Sequence, residues 1–483
     1  MNTTTLQDTP LTTQPKVAII GGGIAGSTAA LGLASHHIDT VLIEAGPSLV
    51  NGPPICHLHA GGNLYREIDD EQCITLLRQS IDTLKLYPHC ADYRPTLIAI
   101  PKRDPGTFEQ LMPRLELLKR HYQQLVSDDI DNKVLGEPNN YYRVFEHEEV
   151  EALLSKANPV KALTASDWLI PVVKKLDLNT IKFPMVLVEE YGLNVFRLAA
   201  SATLVSKEQP HCHVHTNTQV TAISRHENQW HLTLTTEQST QTLVVDYLVN
   251  ACGFKSGIID DLIGCQQQRL VEFKAAYVTR WQNVEGHWPE VIFYGERGTP
   301  NGMAQLTPYP NGYFQIHGMT KDITLFNDGL VASDTSSSQP QLPNALASKI
   351  SHQWPEDVAN ARTEKSIDFL AHFIPEFSTA QIGGKPLYGA QQIPGSDPKL
   401  RAADVDFSTP FYARSEIVKA SSAIDATALI YKDISDKFSL DNHTFEMPAL
   451  TRQLSEIDVA KTATNLAIAR QYPTYLASRV NDQ

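Results

Sequence analysis

The chain has 483 residues, 42% of them hydrophobic and 19% charged, as expected of a soluble globular protein with more than one core. Its formal net charge of −14 argues against a broad nucleic-acid-binding surface, which needs clustered Lys and Arg, but allows a local basic pocket for an acidic substrate. The six cysteines form no C-x-x-C pair, which disfavours a zinc ribbon or dithiol redox centre and fits reduced thiols in a cytoplasmic protein.

Residues 1–15 are polar and lack the basic and apolar regions of a signal peptide. No apolar run reaches the length of about 18 residues needed to span a bilayer, so no transmembrane segment is expected, and peripheral membrane contact stays open. Residues 16–45 read as strand, glycine turn, helix and strand. Val17, Ala18, Ile19 and Ile20 suit a buried parallel strand, and Val41, Leu42 and Ile43 suit a second that ends at Glu44. Residues 51–66 are loop-like and a helix is predicted over 70–86. Residues 106–157 read as mostly helical, 181–190 as strand or loop, and 196–207 as an amphipathic helix. From 211 to 250 the period falls to two, predicting strands at 213–216, 220–225, 230–235 and 243–249 in a meander. A second β-rich stretch spans 270–323, residues 331–345 read as an exposed loop, and 450–476 as helix.

Gly21-Gly22-Gly23-Ile24-Ala25-Gly26 fits G-x-G-x-x-G. Gly21 permits the tight turn, Gly23 lets backbone approach a diphosphate, and Gly26 lets helix and strand pack closely. Glu44 is placed to accept hydrogen bonds from ribose hydroxyls and would repel a 2′-phosphate, so NADP is not expected here. A second apolar strand ends in small residues at Asn250-Ala251-Cys252-Gly253, preceded by Thr218-Gln219-Val220. This looks like the second flavin-contacting segment of FAD enzymes with the glutathione-reductase fold. No second G-x-G-x-x-G exists, so a separate NAD(P)H domain is not expected. None of the 26 glycines precedes Asp, unlike disulfide reductases and aromatic-ring hydroxylases of this fold.

With both segments in hand, the chain resembles the D-amino-acid oxidase-like superfamily of FAD-dependent oxidoreductases, over most of residues 16–400. His59-Ala60-Gly61, followed by Gly62, is similar to the loop of L-2-hydroxyglutarate dehydrogenases and malate:quinone oxidoreductases whose backbone approaches the flavin ring. Phe273-Lys274-Ala275-Ala276-Tyr277 resembles a substrate-facing strand, and Thr307-Pro308-Tyr309-Pro310-Asn311-Gly312-Tyr313 a substrate-domain hairpin. The stretch Phe411-Tyr412-Ala413-Arg414-Ser415-Glu416-Ile417 departs from the resemblance, carrying bulky residues where relatives have glycines.

The resemblance implies an α/β architecture: a Rossmann-like FAD-binding domain of the glutathione-reductase fold with an interleaved α+β substrate domain. The expected FAD segments are 16–100, 190–265 and 370–435. The substrate domain would take 101–189 and 266–369, and a helical tail 436–483. Cofactor contacts are expected at Gly21, Gly23, Gly26, Glu44, Ala60, Gly61, Gly62, Val220, Ala251 and Gly253. The reaction implied is oxidation of a small amine, amino acid or 2-hydroxy acid by hydride transfer to flavin N5, with O2 or a quinone as electron acceptor. An electron-relay subunit and an RNA-modifying flavoenzyme are the alternatives.

A neutral His within reach of an alcohol can accept its proton, which makes His59 the first candidate base and His317 the second. His57 or His59 could instead carry the flavin covalently. A substrate carboxylate needs a cation, for which Arg280, Lys274 and Arg414 are candidates. Tyr277, Tyr309 and Tyr313 are candidate pocket walls.

Overall fold

The computed structural model describes residues 14–51, 58–60 (as backbone), 68–282, 284–400, 404–440 and 444–480 of the chain. Among these, two large sheets set the architecture.

The first sheet has six strands, and its centre is strand Lys16–Ile20. Asp39–Ile43 lies parallel on one side, followed by Cys212–His215, and Tyr247–Asn250 lies parallel on the other. Tyr412–Ser415 continues the sheet in parallel, and Val405–Asp406 closes it antiparallel. Strands buried on both faces explain the unbroken apolar runs read from sequence. Helix Ile24–Ser35 covers one face with small residues, and Ala423–Phe438 packs against that helix. Val17, Ile19, Ala30, Leu33, Leu42, Val249 and Ile430 share this core.

The second sheet has ten strands built around the long strand Arg269–Arg280. Going outward, this strand is followed by Tyr313–Gly318, Ala304–Pro308, Glu290–Phe293, Thr96–Pro101, Ile181–Val188 and Tyr142–Phe145. Neighbours run antiparallel except Glu290–Phe293 and Thr96–Pro101, which are parallel. Its second core includes Leu97, Met185, Trp281, Phe293, Phe314 and Phe373.

Several expectations need correction. Strand Leu387–Pro394 falls within the expected third FAD segment but pairs with Arg269–Arg280 in the ten-stranded sheet. Thr96–Pro101, at the end of the expected first segment, also belongs there. The predicted meander keeps only its middle: Gln219–His226, Gln229–Thr235 and Thr240–Val245 form a three-stranded antiparallel sheet. Its first strand and the end of its last join the parallel sheet. The chain switches sheets at Asp246, whose carboxylate accepts from Lys16 N at 2.8 Å and Gln229 Nε2 at 2.9 Å. The stretch 106–157 is helical at Phe108–Asp128 and His147–Leu154 but holds strand Tyr142–Phe145 between them.

Candidate functional site

A cavity of about 1000 Å³ runs between the two sheets. One end is the glycine turn. Gly21 sits at φ +102°, and a Cβ there would meet Ala251 O at 2.5 Å. A Cβ on Gly26 would stand 1.8 Å from Gly21 O, because helix and strand touch at that point. Gly23 differs: it lines the cavity, and a Cβ on it would meet nothing within 4 Å. Helix Ile24–Ser35 begins there without a side-chain cap and without an acid in its first turn. Its first N–H groups and dipole therefore favour an anion.

Glu44 lies beside this turn. Its Oε2 accepts from Gly22 N at 2.7 Å and its Oε1 from Gly46 N at 2.6 Å. Both oxygens keep a lone pair for ligand hydroxyls. Val220, Ala251 and Gly253 complete this end, and Gly253, at φ +55°, is also open above its Cα. Cys252 lines it as well, but burial pushes its thiol far up, so it is inert packing. Bare backbone, a helix N-terminus and an acid beside them fit a dinucleotide such as FAD.

The other end is one face of the ten-stranded sheet. Ile98, Ile292, Gln305 and His317 are successive cross-strand neighbours and all line the cavity. Alternation along each strand turns this row inward together. His317 is 6% exposed. Lys274 Nζ donates to Gln391 Oε1 at 2.7 Å and pairs with Glu272 at 2.9 Å. Arg297 pairs with the same carboxylate. Burial pushes the Glu272 carboxyl up, but Lys274 and Arg297 outweigh it and hold it below the usual range. Two cations against one acid leave the cluster with one net positive charge.

The structure thus gathers Gly21, Gly23, Glu44, Val220, Ala251, Gly253, Lys274 and His317 around one cavity. Gly26 acts behind it, through packing. Arg280 does not join them. It lies six residues beyond Lys274 on the same strand, about 20 Å away at strand rise, and lines a separate hollow with Trp288 and Asn311. Arg414 is fully buried, its Nε donating to both Asp260 oxygens at 3.0 Å. Among the candidate tyrosines, Tyr277 donates to Ile323 O, Tyr309 faces the Arg280 hollow, and Tyr313 stacks on Tyr475. The cavity tyrosines are Tyr294, Tyr388 and Tyr472. His59 and Ala60 belong to strand Leu58–Ala60, with His59 opposite Gly192 in the antiparallel pair. His57, Gly61 and Gly62 lie outside the described residues.

Sequence reading missed Glu190, Arg297 and Arg470, which also line the cavity. Glu190 is 4% exposed, with Thr96 Oγ1 bonded to its carbonyl at 2.8 Å. The acidic pair Glu189-Glu190 closing the apolar run Val186-Leu187-Val188 was its signal.

The sequence matches the family described as FAD dependent oxidoreductase over residues 16–395. The chain belongs to this family. It is an FAD-dependent oxidoreductase and FAD is its cofactor. No curated protein matches the sequence. Solved structures of this oxidoreductase fold resemble it at low identity. Glycerol-3-phosphate dehydrogenase from Bacillus halodurans, complexed with FAD, is 11% identical at TM-score 0.56, covering 97% of this chain and 74% of that one. Iminodiacetate oxidase from Chelativorans sp. BNC1 is 12% identical at TM-score 0.56, covering 87% and 96%. Glycine oxidase from Geobacillus kaustophilus is 12% identical at TM-score 0.52, covering 91% and 99%. At such identities the likeness speaks for the fold. No helix among the described residues is long and apolar enough to cross a membrane.

Proposed function

We propose that this FAD-dependent oxidoreductase oxidises a small amine, amino acid or 2-hydroxy acid and returns the electrons to O2 or a quinone. One observation carries the reading: a single cavity is lined both by the glycine turn with Glu44 and by Gln305 and His317 of the inward row together with Lys274. The glycine end, the helix N-terminus and Glu44 would hold the nucleotide half of FAD. The bound cofactor supplies a two-electron acceptor.

The protein's own part is to bind, orient and move a proton. The net charge of the Lys274–Glu272–Arg297 cluster suits a substrate carboxylate, since a charge-assisted hydrogen bond forms there without leaving a buried cation unpaired. His59 and His317 are the proposed bases for a hydroxyl proton; an amine enters as its neutral form. The apolar residues Ile98 and Ile292 in the same row limit water beside the reacting carbon.

The test is anaerobic mixing of holoenzyme with a panel of amino acids, secondary amines and 2-hydroxy acids while the flavin's visible absorption is followed. Bleaching by one carboxylate-bearing member supports the reading, and reoxidation by O2 or a quinone analogue then names the acceptor. If no member bleaches the flavin while dithionite does, the substrate reading fails and an electron relay takes its place.

A further inference from the structure

We infer that Arg470, on the C-terminal tail beyond the family-matched residues, is a positioning residue for the adenosine-diphosphate half of FAD. It acts by clamping the turn formed by Ser48, Leu49 and Val50. Helix Glu456–Ala469 packs its Val459, Ala463 and Ala467 into a core shared with Phe196 and ends beside the cavity. Arg470 caps that helix and lines the cavity near Glu44. Its Nη1 donates to Val50 O at 3.1 Å, and its Nη2 to Leu49 O at 2.9 Å and Ser48 Oγ at 3.0 Å.

The turn needs such a clamp. Val50 holds φ +48°, a left-handed conformation that a β-branched side chain adopts only under constraint. Its N–H is tied to Gly22 O at 2.7 Å, so the turn rests directly on the glycine corner. Its carbonyl is tied to Arg470. The Arg470 Nε is buried with no partner among the described residues, so the bonds of this guanidinium to the turn run through Nη1 and Nη2. Burial pulls the guanidinium pKa down to about 10, with Tyr472 and Glu44 acting the other way. An anion bound nearby would add to their effect. The inference rests on FAD occupying this cavity.

The test uses full-length holoenzyme of wild type, R470A, R470K and the double variant V50G/R470A. Flavin-to-protein ratio and the rate of FAD release after dilution are read by flavin absorbance and fluorescence. Loss of two or three charge-assisted hydrogen bonds predicts release about ten- to a hundredfold faster in R470A. R470K, which keeps the charge but not the fork, should fall between. V50G/R470A should recover much of the retention, because glycine needs no clamp at that φ. A merely structural role would lower the thermal midpoint in saturating FAD and leave release unchanged. Release within twofold of wild type in R470A, or in R470K should R470A not fold, overturns the inference. Retention no better in V50G/R470A than in R470A overturns the clamp as its route. A wild type that purifies colourless and takes up no FAD overturns the cofactor reading and the inference together.

Discussion

Two glycines of one motif separate packing from binding. Gly26→Ala forces a methyl against Gly21 O at 1.8 Å, so we expect that variant to lose the fold and the flavin together. Gly23→Ala meets nothing within 4 Å, so we expect a normal thermal midpoint without added FAD but a lower flavin-to-protein ratio. Equal flavin content in Gly23→Ala and wild type would contradict the placement of the diphosphate. At the other end, Glu272→Gln leaves Lys274 and Arg297 without their carboxylate. Removing one partner of a buried ion pair predicts a loss of about 3 kcal/mol in denaturant unfolding at neutral pH. Because the folded Glu272 pKa lies below its ordinary 4.5, its contribution is present above that value and is lost as pH falls through the depressed one. Wild type should therefore lose an increment of stability on acidification that Glu272→Gln has already lost. His317→Asn, which keeps a polar side chain in the row, should retain FAD. If His317 is the base for a hydroxyl substrate, anaerobic flavin reduction should slow about a hundredfold or more.

At the level of elements, what could be read from sequence depended on how cleanly a segment buries apolar side chains. The helix predicted at 70–86 is there, capped by Asp69 accepting from Gln72 N at 2.8 Å, and strand–turn–helix–strand stands as read from residue 16. Helix Glu356–Ala371 gave little signal because its buried face includes Thr363 and Ser366 beside Ile367 and Leu370. The split at Asp246 was signalled by one acid inside an apolar run, which period counting passes over. The bulky stretch from Phe411 to Ile417 also has its reason. Tyr412–Ser415 is a sheet strand whose Tyr412 and Arg414 form a buried polar network with Arg269 and Asp260, while its last residue Ser415 and the following Ile417, Val418, Lys419 and Ala420 reach the cavity. Asp260→Asn should accordingly destabilise the protein by about 3 kcal/mol, seen as a lower urea midpoint.

For the molecule as a whole, the glycine end of the site was legible because its chemistry is local: a turn, a helix start and an acid on the next strand. The far end was only partly legible. Lys274 and His317 come together through strand pairing across the ten-stranded sheet, and pairing partners leave no mark in a single sequence. Arg280 is a cation on the same strand as Lys274, and only the length of that strand, which a single sequence does not mark, carries it to a separate hollow. Because the cavity draws walls from both sheets, FAD should stabilise both. At a hundredfold excess over its dissociation constant we expect about 2.7 kcal/mol, as one unfolding transition moving upward in calorimetry. Two transitions, only one of them responding, would show that the sheets hold the cofactor unequally.

The tail's place in the cavity wall has a consequence for biosynthesis. Gly21 and Glu44 leave the ribosome well before Ala469, Arg470 and Tyr472, which belong to the same wall. A nascent chain can therefore present the glycine corner long before the pocket around it is finished, so secure capture of the flavin nucleotide waits for the segment that carries Arg470.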